Sequence, residues 1–432
     1  LQELSSSSMS PSAPFSRTAE CSHATPERKS ARKPVSPVPE SASSSPSADR
    51  FYDGFGGKKK FFPLFFVSFY ESCQLYREAG WNACREWEFI MSKVRAAIIG
   101  ASGYAGEELI RLLIRHPEVD LRVITSRKEA GKNISDIFPR FGDYELKFSA
   151  PDVKAISETC DVAFLALPHG LAAEYAAPLV EAGVKVIDIS ADFRIRSTAK
   201  YKEYYGVDHP APDFLKKAVY GLPERYRSQI KKADLIACPG CYPTSIILPT
   251  APVLAAGLAS PENIIVSADS GVTGAGRKVD LPYIFPECNE SVRAYGIVRH
   301  RHLPEIEQEL AVAAGVGELA MNFIPHLVPV NRGIFSTIIV KAAAGCTMDA
   351  VAEAYEKAYG AERFVRVLPK GKLPDTKHVT MTNSCEIGFV LDDHTGNLIL
   401  CSVIDNLTKG ASGQAVQNLN IRFGLDEAAG LL

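Results

Sequence analysis

R-A-A-I-I-G-A-S-G-Y-A-G, residues 95–106, is the stretch on which the reading of this 432-residue chain turns. Its opening residues have the apolar character of a buried parallel strand. Beyond the glycines, Leu109, Ile110, Leu112 and Leu113 form the apolar stripe of a helix. His116-Pro117 ends that helix, and V-D-L-R-V-I-T (119–125) supplies the next strand. Strand, glycine turn, helix, strand is one β-α-β unit. Within it, Gly100, Gly103 and Gly106 take the spacing G-x-x-G-x-x-G, a variant of the dinucleotide fingerprint. The physical requirement is a tight turn, close approach of a pyrophosphate to backbone N–H groups, and a helix N-terminus whose partial positive charge faces the phosphates. Gly100, Ser102, Gly103 and Gly106 are therefore expected cofactor contacts.

The end of the second strand indicates which nucleotide. A site for NAD usually places Asp or Glu here to bind the ribose 2′-hydroxyl, whereas this chain runs Thr125-Ser126-Arg127-Lys128. A carboxylate would repel a 2′-phosphate. Ser126 and Arg127 would hold it, so NADP(H) is the expected cofactor. The alternation continues with strands at 161–168, 184–190 and 234–238 and a helix over 171–182, giving an α/β, Rossmann-type nucleotide-binding domain. Ligands in such sheets bind at the carboxyl ends of strands, which places Pro168, His169, Gly170 and Ser190 near the cofactor. His169 reads as a loop histidine satisfied by backbone.

Working outward, 46% apolar composition over this length allows a large core and two or three domains. The formal net charge of -2, with acids and bases mixed, gives no whole-chain electrostatic case for nucleic acid or an anionic membrane. The first 50 residues hold fifteen serines and seven prolines with almost no apolar periodicity, so disorder is expected there. This Ser-rich, acid-poor leader with arginines resembles a plastid transit peptide, and residues 1–92 are read as a leader, with a plastid destination after its removal; an uncleaved tail and a cytoplasmic location are the alternative. The apolar run 61–70 is about half the length of a membrane helix and contains Pro63, so no transmembrane span is expected.

Ten cysteines include one C-x-x-C pair, Cys238 and Cys241, in A-C-P-G-C-Y-P-T-S (237–245). A ribbon-type zinc site needs a second close pair, and no metal is expected. The order of elements is wrong for a thioredoxin-type dithiol. Cys241 instead falls at a strand-to-helix junction, with Pro243 in the first helical turn. There the helix dipole is expected to lower the thiol pKa, and free N–H groups can accept an oxyanion. Cys238 would serve as a small buried residue at the strand end.

These residues resemble a known family. P-G-C-Y-P-T, together with G-A-S-G-Y-A-G, A-L-P-H-G, D-I-S-A-D-F-R, Y-G-L-P-E, S-G-V-T-G-A-G-R and H-R-H-L-P-E-I-E-Q, is similar to the N-acetyl-gamma-glutamyl-phosphate reductases of arginine biosynthesis, from about Lys93 to the C-terminus. The resemblance implies the semialdehyde dehydrogenase architecture and an NADPH-dependent reduction of an acyl phosphate to an aldehyde plus phosphate. Cys241 would form a thioester, with His300 or His302 as acid and base. In an extended segment both histidines point to one face. The substrate implied carries a phosphate and a carboxylate, so at least one of Arg194, Arg277, Arg293, Arg299 and Arg301 is expected to clamp it, and Glu224 could orient a histidine or cap a turn. Pro249 and Pro252 depart from the continuous helix expected after the cysteine and predict a shortened or kinked one.

Strands at 264–270, 323–330, 335–341 and 398–404 read as a second, α+β domain. Residues 405–421 then form a glycine turn into a helix, which in the family returns to the nucleotide domain, with Asn406, Gly413 and Gln414 as nicotinamide-side contacts. The expected organisation is a nucleotide domain of 93–240 plus 406–432 with an inserted catalytic and oligomerisation domain of 241–405. The resemblance also implies a homodimer or homotetramer. Aspartate-semialdehyde dehydrogenase, with the same architecture, is the nearest alternative. A catalytically inactive NADP-sensing protein is an alternative of another class.

Overall fold

The computed structural model describes residues 93–432. The leader, with the disorder and targeting expected of it, and the apolar run 61–70 lie outside the described residues. Among the described residues no helix is long and apolar enough to cross a membrane.

Seven parallel strands make the first sheet: β1 (Val94–Ile99), β2 (Val119–Thr125), β3 (Phe148–Ser149), β4 (Val162–Leu165), β5 (Lys185–Asp188), β6 (Val219–Tyr220) and β7 (Leu235–Ala237). Their order is β3-β2-β1-β4-β5-β7-β6. The chain moves outward from β1 to β3 and then re-enters on the other side of β1 at β4. The order therefore reverses between β1 and β4, which is where ligand crevices open in such sheets. The helices α1 (Tyr104–Leu113), α2 (Val153–Thr159), α3 (Ala172–Glu181), α4 (Thr198–Tyr205) and α5 (Pro223–Ile230) belong to this half. Alternate residues of β1 serve opposite faces. Ala96 and Ile98 join a core with Leu109 and Leu113 of α1, whereas Ala97 and Ile99 join one with Leu165 and Leu179.

The second sheet is mixed and contains β8 (Ile264–Ser270), β9 (Arg293–Ala294), β10 (Met321–Leu327), β11 (Ile334–Lys341), β12 (Val365–Val367), β13 (Cys385–Asp392) and β14 (Asn397–Ile404), in the order β12-β13-β14-β11-β8-β10-β9. Burial alternates along β8, β10 and β11, so one face meets α6 (Cys241–Ala255), α7 (Leu303–Ala314) and α8 (Met348–Tyr359), while Ile265 and Lys341 on the other remain exposed. After β14 comes a π-turn, Thr408–Ser412, and then α9 (Gly413–Phe423). Ala415, Val416 and Leu419 of α9 pack with Leu109 and Leu113 of the first half.

The helix that carries Cys241 corrects one expectation. α6 runs unbroken for 15 residues through Pro249 and Pro252. A proline at position i withholds the N–H that would reach the carbonyl of i-4, here those of Ser245 and Leu248. Both carbonyls have side-chain donors instead: Ser402 Oγ–H donates to Ser245 O, and Tyr359 O–H donates to Leu248 O at 2.6 Å. The neighbouring elements β14 and α8 thus supply what the prolines remove. Tyr359→Phe should cost about 1–3 kcal/mol by stripping a buried carbonyl of its donor. Urea unfolding checks this.

Candidate active site

A cavity of about 670 Å³ opens beside the β1–β4 reversal, and Cys241, His300 and His302 all line it. Of the other expected contacts, Pro168, Ser190, Arg194, Arg293 and Asn406 also line it. Cys241 is the first residue of α6, and Gly240 is the helix N-cap. The turn before the helix is clamped from two sides. Glu305 Oε1, in the first turn of α7, accepts the Gly240 N–H at 2.9 Å and the Tyr220 hydroxyl at 2.8 Å. Arg194 donates from Nε to Cys238 O at 2.7 Å and from its NH2 nitrogen to Ile189 O at 2.6 Å. The two clamps approach each other at 3.7 Å, and both are buried.

His302 is the N-cap residue of α7, and its ring lies against the same turn. A Cβ added at Gly240 would sit 2.7 Å from His302 Nε2, so only glycine fits between the imidazole and the backbone. His302 Nδ1 is buried with no hydrogen-bond partner. His300 differs, because its Nδ1 accepts the His302 backbone N–H at 3.1 Å. That bond puts the proton of neutral His300 on Nε2. The rings of Tyr242, Phe323 and the two histidines meet edge to face at centroid distances of 5.0–6.2 Å.

Burial sets the charge states. It lowers His300 to about 4, helped by the neighbouring Arg301 cation, and it pushes His302 well below its ordinary value, helped by His300 and Arg194. Both imidazoles are therefore neutral at pH 7. The Cys241 thiol is pushed up to about 11 by burial, while the amides of Tyr242 and of Cys241 itself pull it back. The helix N-terminus thus acts in the expected direction, but desolvation outweighs it, and the expected net lowering of the thiol pKa is corrected. A thiol in this state needs a base beside it to become a nucleophile.

The glycine turn fits a dinucleotide. Gly100 has φ +89°, and a Cβ there would lie 2.4 Å from Ala166 O; one at Gly106 would lie 2.6 Å from the Ala101 backbone. Gly103 is the N-cap of α1, and a Cβ there would meet only Gly100 O, at 4.0 Å. Ser102 Oγ and Ser126 Oγ are 2.9 Å apart and join the turn to the end of β2. Arg127 is exposed, donating to Tyr175 Oη at 2.8 Å and paired with Glu174 at 3.2 Å.

Several expected contacts are committed elsewhere. Glu224 is fully buried against Lys409 at 2.6 Å and orients no histidine. Arg277 donates to Ser102 O at 3.3 Å and lies over the Phe138 ring, so it belongs to the glycine turn and not to the substrate end. Arg194 lines the cavity, with Nε committed to Cys238 O and its NH2 nitrogen to Ile189 O, while NH1 lies 3.7 Å from Glu305. Arg293 lines it while donating to Pro282 O. Gly170 gives its N–H to Asp192 Oδ1 at 2.6 Å, and Ser190 donates to Asp188 Oδ2 at 2.9 Å. Asn406 stitches two loops, accepting from Gly333 N–H at 2.8 Å and donating to Thr273 Oγ1 at 2.9 Å. Gly413 and Gln414 lie past the cavity in the buried body of α9, where Gln414 donates to Thr244 Oγ1 at 3.0 Å. Besides Asn406, the residues that reach the cavity from this segment are Leu407, Gly410 and Ala411. His169 finds the Arg301 guanidinium at 2.7 Å in place of a backbone partner.

Glu305 had no role assigned from sequence. The available signal was its place three residues after His302, the acidic position of a capping box, although here it turns to Gly240 instead of its own helix.

Comparison with known proteins agrees with this geometry. Residues 95–233 match the family model described as semialdehyde dehydrogenase, NAD binding domain, and residues 241–406 match semialdehyde dehydrogenase, dimerisation domain. An N-acetyl-gamma-glutamyl-phosphate reductase of Akkermansia muciniphila is 52% identical over 345 residues, 79% of this chain and 99% of that protein. One from Saccharophagus degradans is 50% identical over 341 residues, 78% of this chain and 98% of that protein. Among solved structures, aspartate semialdehyde dehydrogenase II of Vibrio cholerae, complexed with ASA, shares the fold at TM-score 0.59 and 19% identity, covering 77% of this chain and 99% of that one. The Candida albicans aspartate semialdehyde dehydrogenase with NADP does so at TM-score 0.57 and 18% identity, covering 76% and 98%.

Proposed function

Because the chain belongs to the N-acetyl-gamma-glutamyl-phosphate reductases, we propose that Cys241 is the nucleophile, and His302 the acid and base, of an acyl-phosphate reduction. The reaction converts N-acetyl-gamma-glutamyl phosphate to N-acetylglutamate 5-semialdehyde and phosphate, and the protein is an oxidoreductase of arginine biosynthesis. The observation that carries the residue roles is the placement of Cys241 at the buried N-terminus of α6, opening on a cavity shared with a neutral His302.

His302 takes the thiol proton. The sulfur attacks the acyl carbon, and the carbon–oxygen bond to phosphate breaks with its electron pair on the departing phosphate. This leaves a thioester, a better hydride acceptor than a carboxylate. Bound NADPH supplies the hydride. The proton held on His302 goes to the resulting thiohemiacetal oxygen; His302 takes it back as the carbonyl re-forms and the carbon–sulfur bond breaks with its electron pair on sulfur, and returns it to the thiolate, which releases the aldehyde and restores the thiol. The backbone amides at the start of α6 face the developing oxyanion. Arg194 and Glu305 keep Gly240 and Cys241 in place throughout. Comparing turnover of N-acetylglutamyl phosphate and aspartyl phosphate tests the substrate, and a preference for the aspartyl compound would overturn it.

NADP(H) is the cofactor in this reading, with Gly100, Gly103 and Gly106 forming the pyrophosphate cradle and Ser126 and Arg127 holding the 2′-phosphate. The support is the absence of a carboxylate at positions 125–128 and the exposure of the Arg127 side chain beside the end of β2. Arg127→Ala should weaken NADPH binding about tenfold to a hundredfold and leave NADH nearly unaffected. Titration of each cofactor by fluorescence checks this, and equal losses would show that Arg127 does not read the phosphate.

The assembly in this reading is a homodimer or homotetramer formed through residues 241–406, the span matched by the dimerisation model, whose sheet leaves one face uncovered. The plastid destination rests on the composition of the first 50 residues. A fluorescent fusion of residues 1–92 that stayed outside plastids would overturn it.

A further inference from the structure

Lys409 is fully buried and takes no part in the chemistry above. It is the second residue of the π-turn Thr408–Ser412. Its Nζ donates to Glu224 Oε1 at 2.6 Å and to Gln417 Oε1 at 2.8 Å. Gln417 donates in turn to Glu427 Oε1 at 2.8 Å and accepts from Asn383 Nδ2 at 3.1 Å, and Arg227 pairs with Glu427 at 2.7 Å. The ammonium therefore ends a connected polar network that closes on itself away from the cavity.

The residues after Lys409 face the other way. Gly410 is pressed against the nucleophile, since a Cβ there would lie 2.8 Å from Cys241 Cβ and 3.3 Å from its Cα. Gly410 and Ala411 line the cavity. Ser412 Oγ donates to Ala105 O at 2.8 Å, where the glycine turn enters α1. One five-residue segment thus touches the nucleophile, the cofactor turn and a buried ion pair. Its hydrogen bonds span five residues, Gly410 N–H to Asp405 O at 2.9 Å and Ser412 N–H to Leu407 O at 2.8 Å. Such a turn is less favourable than an α-turn and persists where its surroundings hold it. Reversion to α-spacing would rotate Lys409 out of its slot, leaving the buried Glu224 carboxylate without its cation and with only the Gln417 amide, which donates to it at 3.3 Å, an expensive outcome.

We propose that the Lys409–Glu224 ion pair fixes the register of this π-turn and thereby seats Gly410 against Cys241 and Ser412 against the cofactor turn. Lys409 is a positioning residue and touches neither substrate nor cofactor. The link to turnover rests on the reading of Cys241 as nucleophile, and the test separates the two.

The variants are Lys409→Met and the double change Lys409→Met with Glu224→Met, which removes the unpaired carboxylate. Lys409→Met should lower kcat about tenfold or more, the scale of a misplaced reacting group, with KM for the acyl phosphate held within about threefold. Iodoacetamide labelling of Cys241, followed by mass spectrometry, should change in rate by about fivefold or more as Gly410 leaves the thiol. The double variant should regain the wild-type thermal midpoint but not kcat, since an apolar pair stabilises without fixing register. If it regained both, any filler would suffice and the proposal would fail. It also fails if the labelling rate is unchanged in Lys409→Met. A changed labelling rate with unchanged kcat would uphold the register and overturn the role of Cys241. Should Lys409→Met not fold, Glu224→Gln keeps the shape and acceptor, and wild-type kcat and labelling in that variant overturn the proposal.

Discussion

Cys241→Ser is expected to lower kcat by about 10⁴-fold or more, the scale seen when a covalent nucleophile is removed from an otherwise intact site. Serine fits the space, but its hydroxyl is a far weaker nucleophile, and no thioester can form. Cys238→Ser should keep most of the activity. Cys238 is fully buried, its thiol is pushed up to about 12, and its sulfur already faces Asn418 Nδ2 at 3.5 Å, which can donate equally well to a hydroxyl. Steady-state kinetics of the two variants answers what the C-x-x-C spacing leaves open. Comparable losses would mean that the thiols act as a redox pair. Only Cys241 of the two opens on the cavity, so limited alkylation should label it first.

His302→Ala should cost about 10²- to 10⁴-fold in kcat, the span for a general acid and base, and His300→Ala should cost less. The difference lies in the ring nitrogens. His300 Nδ1 is occupied by a backbone amide, whereas His302 lies against Gly240 with Nδ1 unpartnered. The pH dependence follows from burial. A base works in its neutral form, which is present above the folded pKa and lost as pH falls through it. With His300 lowered to about 4 and His302 well below its usual value, kcat/KM should stay level where an ordinary histidine, near 6.5, would bend it. The acid limb should appear well below the ordinary histidine range. Measuring kcat/KM from about pH 4 to pH 8 checks this, because that ratio reports the free enzyme. A limb near 6.5 would show solvated histidines and remove the proposed base. H-R-H by itself suggests a limb near neutrality, because a sequence carries no sign of how deeply such a pair is buried.

What could be read in the sequence was what depends on near neighbours. β2 and β8 occupy the expected residues 119–125 and 264–270, because an apolar or β-branched run bounded by polar turns is a local signal. β13 escaped because Glu386 and Gly388 interrupt it. Glu386 is buried beside Arg366, and a Cβ at Gly388 would lie 2.4 Å from Lys372 O. Both features are explained by partners remote in the chain. The site divides the same way. Cys241 and the histidines were visible as chemistry-bearing residues in short motifs. Arg194, Glu224 and Gln414 sat in equally suggestive motifs but serve partners 44, 185 and 170 residues away. A charge within a motif looks the same whether it meets a ligand or a distant side chain. The prolines of α6 show the converse, since helix-breaking residues are tolerated where Tyr359 and Ser402 stand ready.

The return of α9 to the first sheet bears on how the protein is made. Leu109 and Leu113 leave the ribosome early, but Ala415, Val416 and Leu419, which cover them, emerge about three hundred residues later. The nascent chain therefore holds a nearly complete nucleotide-binding half with one apolar face open while the whole second sheet is synthesised. Such a face is what chaperones bind and what drives aggregation. The half that is translated first is the last to be sealed.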